Sequence, residues 1–317
     1  MPTAPLHPQP IDLDIFREMY RGSIASLSGI DPRLNASAIA RRLHTGRARV
    51  AHRLQAWSDS GFLVRFDVWL NPALFGWQGA FFNIRLEHPR TKPALIGRLA
   101  LLEGAVSSVE FLGEWITFGA VAPDAAGLER QRALVGGLAG VREVEPPMPW
   151  GEVRPQRALS PLDVRIVRAL REAPTATLRA TATRVGISTR TMTRRYAELV
   201  GDWAAWFVPV LDFRAITSPL VSLLLTYSEG ATPATVARQV RARYPLTLAG
   251  AGVDAGPPRT EALLVMPSSS AHLEELEQFV AGLDGVVGVE TNVMVRMHSF
   301  PTWFDRQLAG LAPASRR

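Results

Sequence analysis

"VGISTRTMTRRYAELV", residues 185–200, carries three arginines and no acid before Glu198. Within it Met192, Tyr196 and Leu199 recur at helical spacing. So thin an apolar stripe fastens a helix to a core and leaves most of its circumference outward. Just upstream, Leu178, Ala182 and Val185 share one face of another helix. Gly186 and Ile187 make the turn, and Ser188 is the cap of the second helix. This is the helix-turn-helix plan, whose second helix offers its outward side chains to the major groove of DNA. The outward residues are Thr189, Arg190, Thr193 and Arg194. Arginines reach guanine edges or phosphates, and threonines reach phosphates or thymine methyls. An acid on that face would be repelled by phosphate, which gives its absence a physical sense.

The stretch has a twin. At an offset of 142 residues, Ala40, Leu43, Val50, Leu54 and Trp57 match Ala182, Val185, Met192, Tyr196 and Leu199. A repeat of that length is a duplicated domain, not a solenoid period. The first copy reads as helix 35–43, turn 44–46 and helix 47–60. Arg47 and His52 face outward, flanked by Arg49 and Arg53. Gly46 stands where the second copy has its capping serine. Ahead of each copy lies a short amphipathic helix. The first is Leu13 to Tyr20, capped by Asp12; the second runs from Pro161 to about Glu172, with Ser160 and Asp163 at its start. An extra loop, "RGSIASLSGIDPRL" (21–34), interrupts the first copy only.

Charge follows the same division. Residues 34–57 and 173–197 each hold five arginines and no acid. Without those ten, the net charge of +6 becomes −4. The chain has one lysine, Lys92, so arginine is its default base, and the local lack of acids is the stronger signal.

After each basic stretch the period changes to two. Val64, Phe66 and Val68 alternate with Arg65, Asp67 and Trp69, so 62–70 is expected to be a wing strand; Trp206 to Leu211 takes that part in the second half. The first half then reads as strand 79–86, helix 92–102, strands 106–112 and 116–122, helix 125–138 and strand 141–145. The second reads as strand 220–227, helix 233–244, strands 246–253 and 260–266, helix 270–283 and strand 286–296. The order βαββαβ is ferredoxin-like, an antiparallel sheet with both helices on one face. The bare face needs a cover, and the other copy's sheet is the expected one.

The fold class expected is therefore α+β: a tandem repeat of a winged helix-turn-helix and a ferredoxin-like domain, forming an intramolecular pseudo-dimer. The boundaries are a disordered tail 1–10, winged units 11–72 and 159–214, and ferredoxin-like domains 73–147 and 215–299. A proline-rich linker spans 148–158, within "EPPMPWGEVRPQ" (145–156), and a tail covers 300–317.

With 317 residues and 47% hydrophobic content the chain can bury more than one core. It has no cysteine, which excludes disulfides and thiolate metal sites. The opening MPTAPLHPQP shows no charged leader before an apolar core, so no signal peptide is expected. No window approaches the roughly 20 apolar residues that cross a bilayer. A cytoplasmic location without membrane association is expected.

"SAIARRLHTGRARVAHRLQAWSDSGFL" (37–63), and again "LSPLDVRIVRAL" (159–170) with "VGISTRTMTRRYAEL" (185–199), resemble the helix-turn-helix signature of the leucine-responsive regulatory protein / AsnC family. The resemblance runs from about residue 11 to 298, twice over. It implies a transcriptional regulator bound to double-stranded DNA, with a ferredoxin-like domain that dimerises and binds small metabolites such as amino acids. Association between chains is a further implied partner. Effectors in that family often lie near the glycine turn between the second and third strands of the ferredoxin-like domain. That places Gly113 and Glu114 in one copy, and Gly252 and Asp254 in the other, as effector candidates. The turns differ, "LGEW" (112–115) against "GAGVDAGPPRT" (250–260), and both glycines also serve as plain turn residues.

Siroheme decarboxylases resemble the same two-part architecture and use histidine and arginine in the ferredoxin-like portion. Here the histidines are His7, His44, His52, His88, His272 and His298, and the strand pair "VSSVEFLGEWITFGAV" (106–121) has neither histidine nor arginine. A proton donor is hard to place there. There is also no phosphate-binding glycine loop, GxSxG or HExxH. A non-enzymatic chain with no cofactor and no metal is expected, against the alternatives of a siroheme decarboxylase-like enzyme or an effector-binding assembly protein without DNA binding.

Overall fold

A computed structural model describes residues 4–19, 36–150, 155, 157–244, 247–248, 252–253 and 260–311. The loop 21–34 lies outside them. The first half comprises α1 (Pro10–Met19), α2 (Ala36–Arg42), α3 (Arg47–Asp59), β1 (Leu63–Leu70), β2 (Gln78–Leu86), α4 (Lys92–Leu99), β3 (Ala105–Phe111), β4 (Trp115–Ala122), α5 (Ala125–Gly136), β5 (Val141–Val144) and β6 (Met148–Pro149). The second comprises α6 (Pro161–Glu172), α7 (Leu178–Val185), α8 (Thr189–Gly201), β7 (Ala205–Leu211), β8 (Val221–Tyr227), α9 (Pro233–Arg243), β9 (Thr247–Leu248), β10 (Gly252–Val253), β11 (Thr260–Val265), α10 (Ser270–Ala281), β12 (Val286–Ser299) and α11 (Thr302–Gly310). The class is α+β, a duplicated helix-turn-helix plus ferredoxin-like arrangement closed into a pseudo-dimer.

Local chemistry sets the second helix-turn-helix. At α6, Ser160 and Asp163 form a reciprocal capping box with proline at the helix start. Thr177 caps α7 and Ser188 caps α8, each hydroxyl accepting from a backbone N–H three residues on. Gly186 ends α7 at φ 75°, a left-handed conformation that costs glycine nothing. In the first copy the matching residue is His44, held at φ 49°, and Gly46 at the start of α3 supplies no side-chain cap. The first copy is thus the same plan with weaker local signals.

Two features join the halves. β1 keeps Leu63 and Phe66 on its own unit's core but finds its strand partner in the other half. It pairs antiparallel with β7, with Trp69 opposite Trp206 and Phe66 opposite Pro209. Val68, Trp69 and Leu70 enter the core of the second helix-turn-helix, while Leu211, Phe213 and Ile216 enter that of the first. Each unit is therefore packed on the other half's chain.

The ferredoxin-like sheets also merge. A ten-stranded sheet runs β10-β11-β8-β12-β3-β4-β2-β5, with β9 added on β11 and β6 on β2. β12 extends to Ser299, beyond the expected end at 296; its first part pairs with β8 and its last with β3. The handover lies at Val293 and Met294, where Leu112 N donates to Val293 O and Met294 N to Leu220 O. Sheet-on-sheet packing was expected; edge-to-edge continuity through one long strand is what joins them.

Strand alternation then sorts the faces. Ala80, Phe82, Ile84 and Leu86 of β2 are fully buried with Leu95, Leu99, Leu128 and Val135 of α4 and α5. Val221, Leu223 and Leu225 of β8 do the same with Val236, Val240, Leu276 and Val280 of α9 and α10. Each such leucine or phenylalanine contributes about 1.5–3 kcal/mol of transfer free energy. The alternate residues point to the open face.

Both expected tails are partly structured. Leu6 is buried, and its N–H donates to Ala215 O at 2.7 Å. Trp303 and Phe304 of α11 are buried against the second helix-turn-helix, with Phe304 5.4 Å from Trp69 ring to ring. The expected linker begins as β6, with Met148 opposite Phe81 and Pro149 opposite Ala80 on β2. Trp150 then covers Gly79, where a Cβ would meet its ring at 2.2 Å. Of the expected strand 246–253, the described residues form β9 and β10, both on β11.

Candidate nucleic-acid interface and the cavity behind it

On α8, Met192, Tyr196 and Leu199 are buried, and Thr189, Arg190, Thr193 and Arg194 are exposed together. Arg190 makes no hydrogen bond among the described residues. Arg194 is held by Glu198 four residues on, at 2.6 Å, with its side chain still 59% exposed. Thr193 Oγ1 donates back to Thr189 O at 2.9 Å. The helix start adds unpaired N–H groups and a positive dipole end to the same region.

On α3, Arg47, Arg49 and His52 are exposed. Arg53 is not part of that face, which corrects its assignment to DNA contact. It is 7% exposed and turned inward. Its Nε donates to Asp12 Oδ1 at 2.8 Å and its Nη2 to Asp12 Oδ2 at 2.5 Å and His7 O at 3.0 Å. Trp57 Nε1 donates to the same carboxylate at 2.8 Å. Buried charge needs such pairing, so this guanidinium belongs to the core. Arg195, at the matching position of α8, leans inward too, 3.9 Å from the fully buried Asp163. Arg157 holds that acid more closely, at 2.7 Å. Burial would raise the Asp163 carboxyl, but its bonds from Arg157 and Ser160 outweigh it and hold it below the usual carboxylate range.

Between the sheet's open face and the β1–β7 ribbon lies a cavity of about 180 Å³. The first half contributes Phe81, Asn83, Val109, Phe111, Trp115 and Thr117. The second contributes Ser222, Leu224, Leu264, Glu290 and Asn292, and the ribbon closes it with Val208, Pro209 and Val210. Asn83 Nδ2 donates to Glu145 Oε2 at 2.8 Å, and Thr117 Oγ1 donates to Asn83 Oδ1 at 2.8 Å. Across the cavity Asn292 Nδ2 donates to Glu290 Oε1 at 3.2 Å. Burial first, then repulsion from Glu290 and Glu143, push the Glu145 carboxyl up against the opposing bond from Asn83.

His298 lines the same cavity. It stands opposite Ser108 in the β12–β3 register and hydrogen-bonds Glu110 through Nε2. That bond is the main cause holding the Glu110 carboxyl low, with Lys92 and Arg214 adding to it. The first half's strands have no histidine of their own, as the sequence indicated; the second half supplies one.

The effector candidates among the described residues, Gly113, Glu114 and Gly252, fall elsewhere. Gly113, at φ 85°, and Glu114 form the exposed β3–β4 turn, with Glu114 bound to Arg85 at 3.2 Å. Neither lines the cavity, although Phe111 and Trp115 beside them do. Gly252 sits opposite Glu261 at the sheet edge, and Asp254 lies outside the described residues. Asn83, Glu145, Glu290 and Asn292 were missed. The available signal was polar side chains on the open face of otherwise apolar strands, a costly placement without a partner. Among the described residues no helix is long and apolar enough to cross a membrane, and no group of His, Asp and Glu is arranged to hold a metal ion.

Residues 159–202 match the winged helix-turn-helix DNA-binding family model. No curated protein matches the chain. Among solved structures, the siroheme decarboxylase NirDL is similar over 96% of this chain and 100% of its own, with a TM-score of 0.53 and 11% identity. Its co-complex with an iron-uroporphyrin III analogue is similar over the same spans, with a TM-score of 0.51 and 11% identity. Escherichia coli AsnC covers 49% of this chain and 99% of its own, at 13% identity and a TM-score of 0.31. The expectation of a non-enzymatic chain is corrected by the first two: this full-length architecture is also an enzyme's, so the fold is no argument against catalysis. The chain thus carries a winged helix-turn-helix DNA-binding domain within a fold similar over 96% of its length to that of NirDL.

Proposed function

We propose that this protein is a DNA-binding transcriptional regulator, with two recognition helices on one chain and a small-molecule effector controlling their geometry. The observation that carries this reading is α8. Its apolar stripe is buried, its start is capped, and Thr189, Arg190, Thr193 and Arg194 are left outward with Arg190 unengaged among the described residues. Arg47, Arg49 and His52 give α3 a second, different basic face. The β1–β7 pairing joins the two units, and a pseudo-twofold between them would read half-sites roughly one helical turn apart. Because the two faces differ, the operator is asymmetric. Selection of bound sequences from a random duplex pool tests the reading. Enrichment of one motif with unequal halves is expected, and a pool that stays random overturns it.

A second reading, turnover of a tetrapyrrole, is favoured by the shared NirDL architecture together with the His298–Glu110 pair on the cavity wall. Two features weigh against it. The cavity is below the 300–1,000 Å³ of pockets that bury drug-sized ligands, and among the described residues no arginine or lysine lines it to meet a substrate's carboxylates. Release of carbon dioxide from an added tetrapyrrole, lost in His298→Ala, would establish it.

A further inference from the structure

We propose that the central cavity is a binding site for a small organic cation, an amine with an aromatic or branched apolar body, whose charged end meets Glu145 and Glu290. The assignment rests on the regulator reading for its biological use and on the cavity alone for its chemistry.

The walls set the body of the ligand. Phe81, Phe111 and Trp115 from one half face Leu224 and Leu264 from the other. Such a surface takes an apolar group, and its aromatic faces attract a cation. The polar groups set the charge. Glu145 and Glu290 both line the cavity, one from each half, and each carboxylate is bonded only to a neutral asparagine. Neither makes an ion pair among the described residues. The cationic groups nearby are committed: Lys92 to Phe111 O, Arg85 to Glu114 and the Trp115 ring, Arg214 to Asp212, and His298 to Glu110. The two acids repel across the cavity, which adds to the upward push on Glu145. A cation between them would reverse that repulsion, and a carboxylate would compound it.

A second observation points to a ligand independently of the acids. Ser107 and Ser222 line the cavity from opposite halves, 7% and 8% exposed, and neither hydroxyl has a hydrogen-bond partner among the described residues. These hydroxyls line the cavity without a protein partner, and either accepts from a donor such as an ammonium group. A zwitterionic amino acid would bring a carboxylate that finds no free base among the described lining residues. Occupancy would also press on Val208, Pro209 and Val210 of β7, the strand that follows recognition helix α8.

The test titrates phenethylamine and, separately, 3-phenylpropionate into the full chain, following tryptophan fluorescence and calorimetry. The amine is expected to bind saturably and the acid at least about tenfold more weakly. Glu145→Gln, which keeps an oxygen for Asn83, is expected to lose at least about tenfold for the amine, the scale of one charge-assisted hydrogen bond. Glu290→Gln, at an exposed position that does not threaten folding, is expected to weaken the amine as well. Equal binding of acid and amine, or amine affinity unchanged in both variants, overturns the assignment. Retention of operator DNA is measured on the same samples. Amine binding without DNA retention would keep the assignment and remove the regulator reading. DNA retention without preference for the amine would remove the assignment alone.

Discussion

Arg53 and Asp12 form a buried, two-pronged pair, Nε to Oδ1 at 2.8 Å and Nη2 to Oδ2 at 2.5 Å. It ties the recognition helix α3 to the third residue of α1, 41 positions earlier in the chain. In the second half the matching acid, Asp163, is held by Arg157 at 2.7 Å, while Arg195, at the position of Arg53, stands 3.9 Å from it. The first helix-turn-helix unit thus spends an arginine of its basic stretch on holding the recognition helix in place; the second draws on Arg157, ahead of its stretch.

Removing one partner of a buried pair strands the other charge, at a cost of about 3–5 kcal/mol. Arg53→Ala is expected to lower the stability of the first unit by that amount. Chemical denaturation checks it, and a variant as stable as the parent would show that Arg53 is not buried in solution.

Arg190→Ala is expected to behave oppositely. Its side chain is exposed and without a hydrogen bond among the described residues, so stability should hold within about 0.5 kcal/mol. Operator affinity should fall, and the slope of log affinity against log salt should shrink by about one. The double variant with Arg194→Ala should flatten it further. Binding measured across a salt series decides this, and an unaltered slope would place both arginines away from phosphate.

His44 occupies the left-handed conformation that Gly186 takes in the other copy. That conformation costs an L-residue about 1–2 kcal/mol, part of which glycine returns as greater freedom in the unfolded chain. His44→Gly is expected to stabilise the first unit by up to about 1 kcal/mol. Gly186→Ala is expected to destabilise the second by a similar amount. Thermal melts of the two variants should shift in opposite directions.

The Asp163 carboxyl is held low in the folded chain. A depressed folded value means stability that is present above the unfolded value near 3.9 and lost as pH falls through the folded one. The second unit should therefore weaken at acid pH, below about pH 4. Asp163→Asn should be less stable at neutral pH and show a flatter decline. Unfolding followed from pH 7 to pH 2 would reveal a parallel decline if the pair contributes nothing.

The helix-turn-helix was legible in the sequence because its determinants are local: a period of 3.6, a serine cap, a left-handed glycine, an acid-free face. The βαββαβ order was legible for the same reason, since alternation and turn residues act within a few positions. The direction of Arg53 was not. A helical position between the buried and exposed arcs turns toward whichever partner is nearer, and Asp12 becomes near only after α1 packs. Nor was the merging of the two sheets. β12 reads as one strand either way, and its division between β8 and β3 depends on which edges are free once both halves have folded.

The cavity belongs wholly to the tertiary structure. Asn83 and Glu145 lie 62 residues apart, and Glu290 comes from the other half. What the sequence determined was the identity of each unit, through short-range spacing and charge. What folding decided was which side chains meet across the pseudo-twofold, because burial and pairing of charge depend on neighbours far away in the chain.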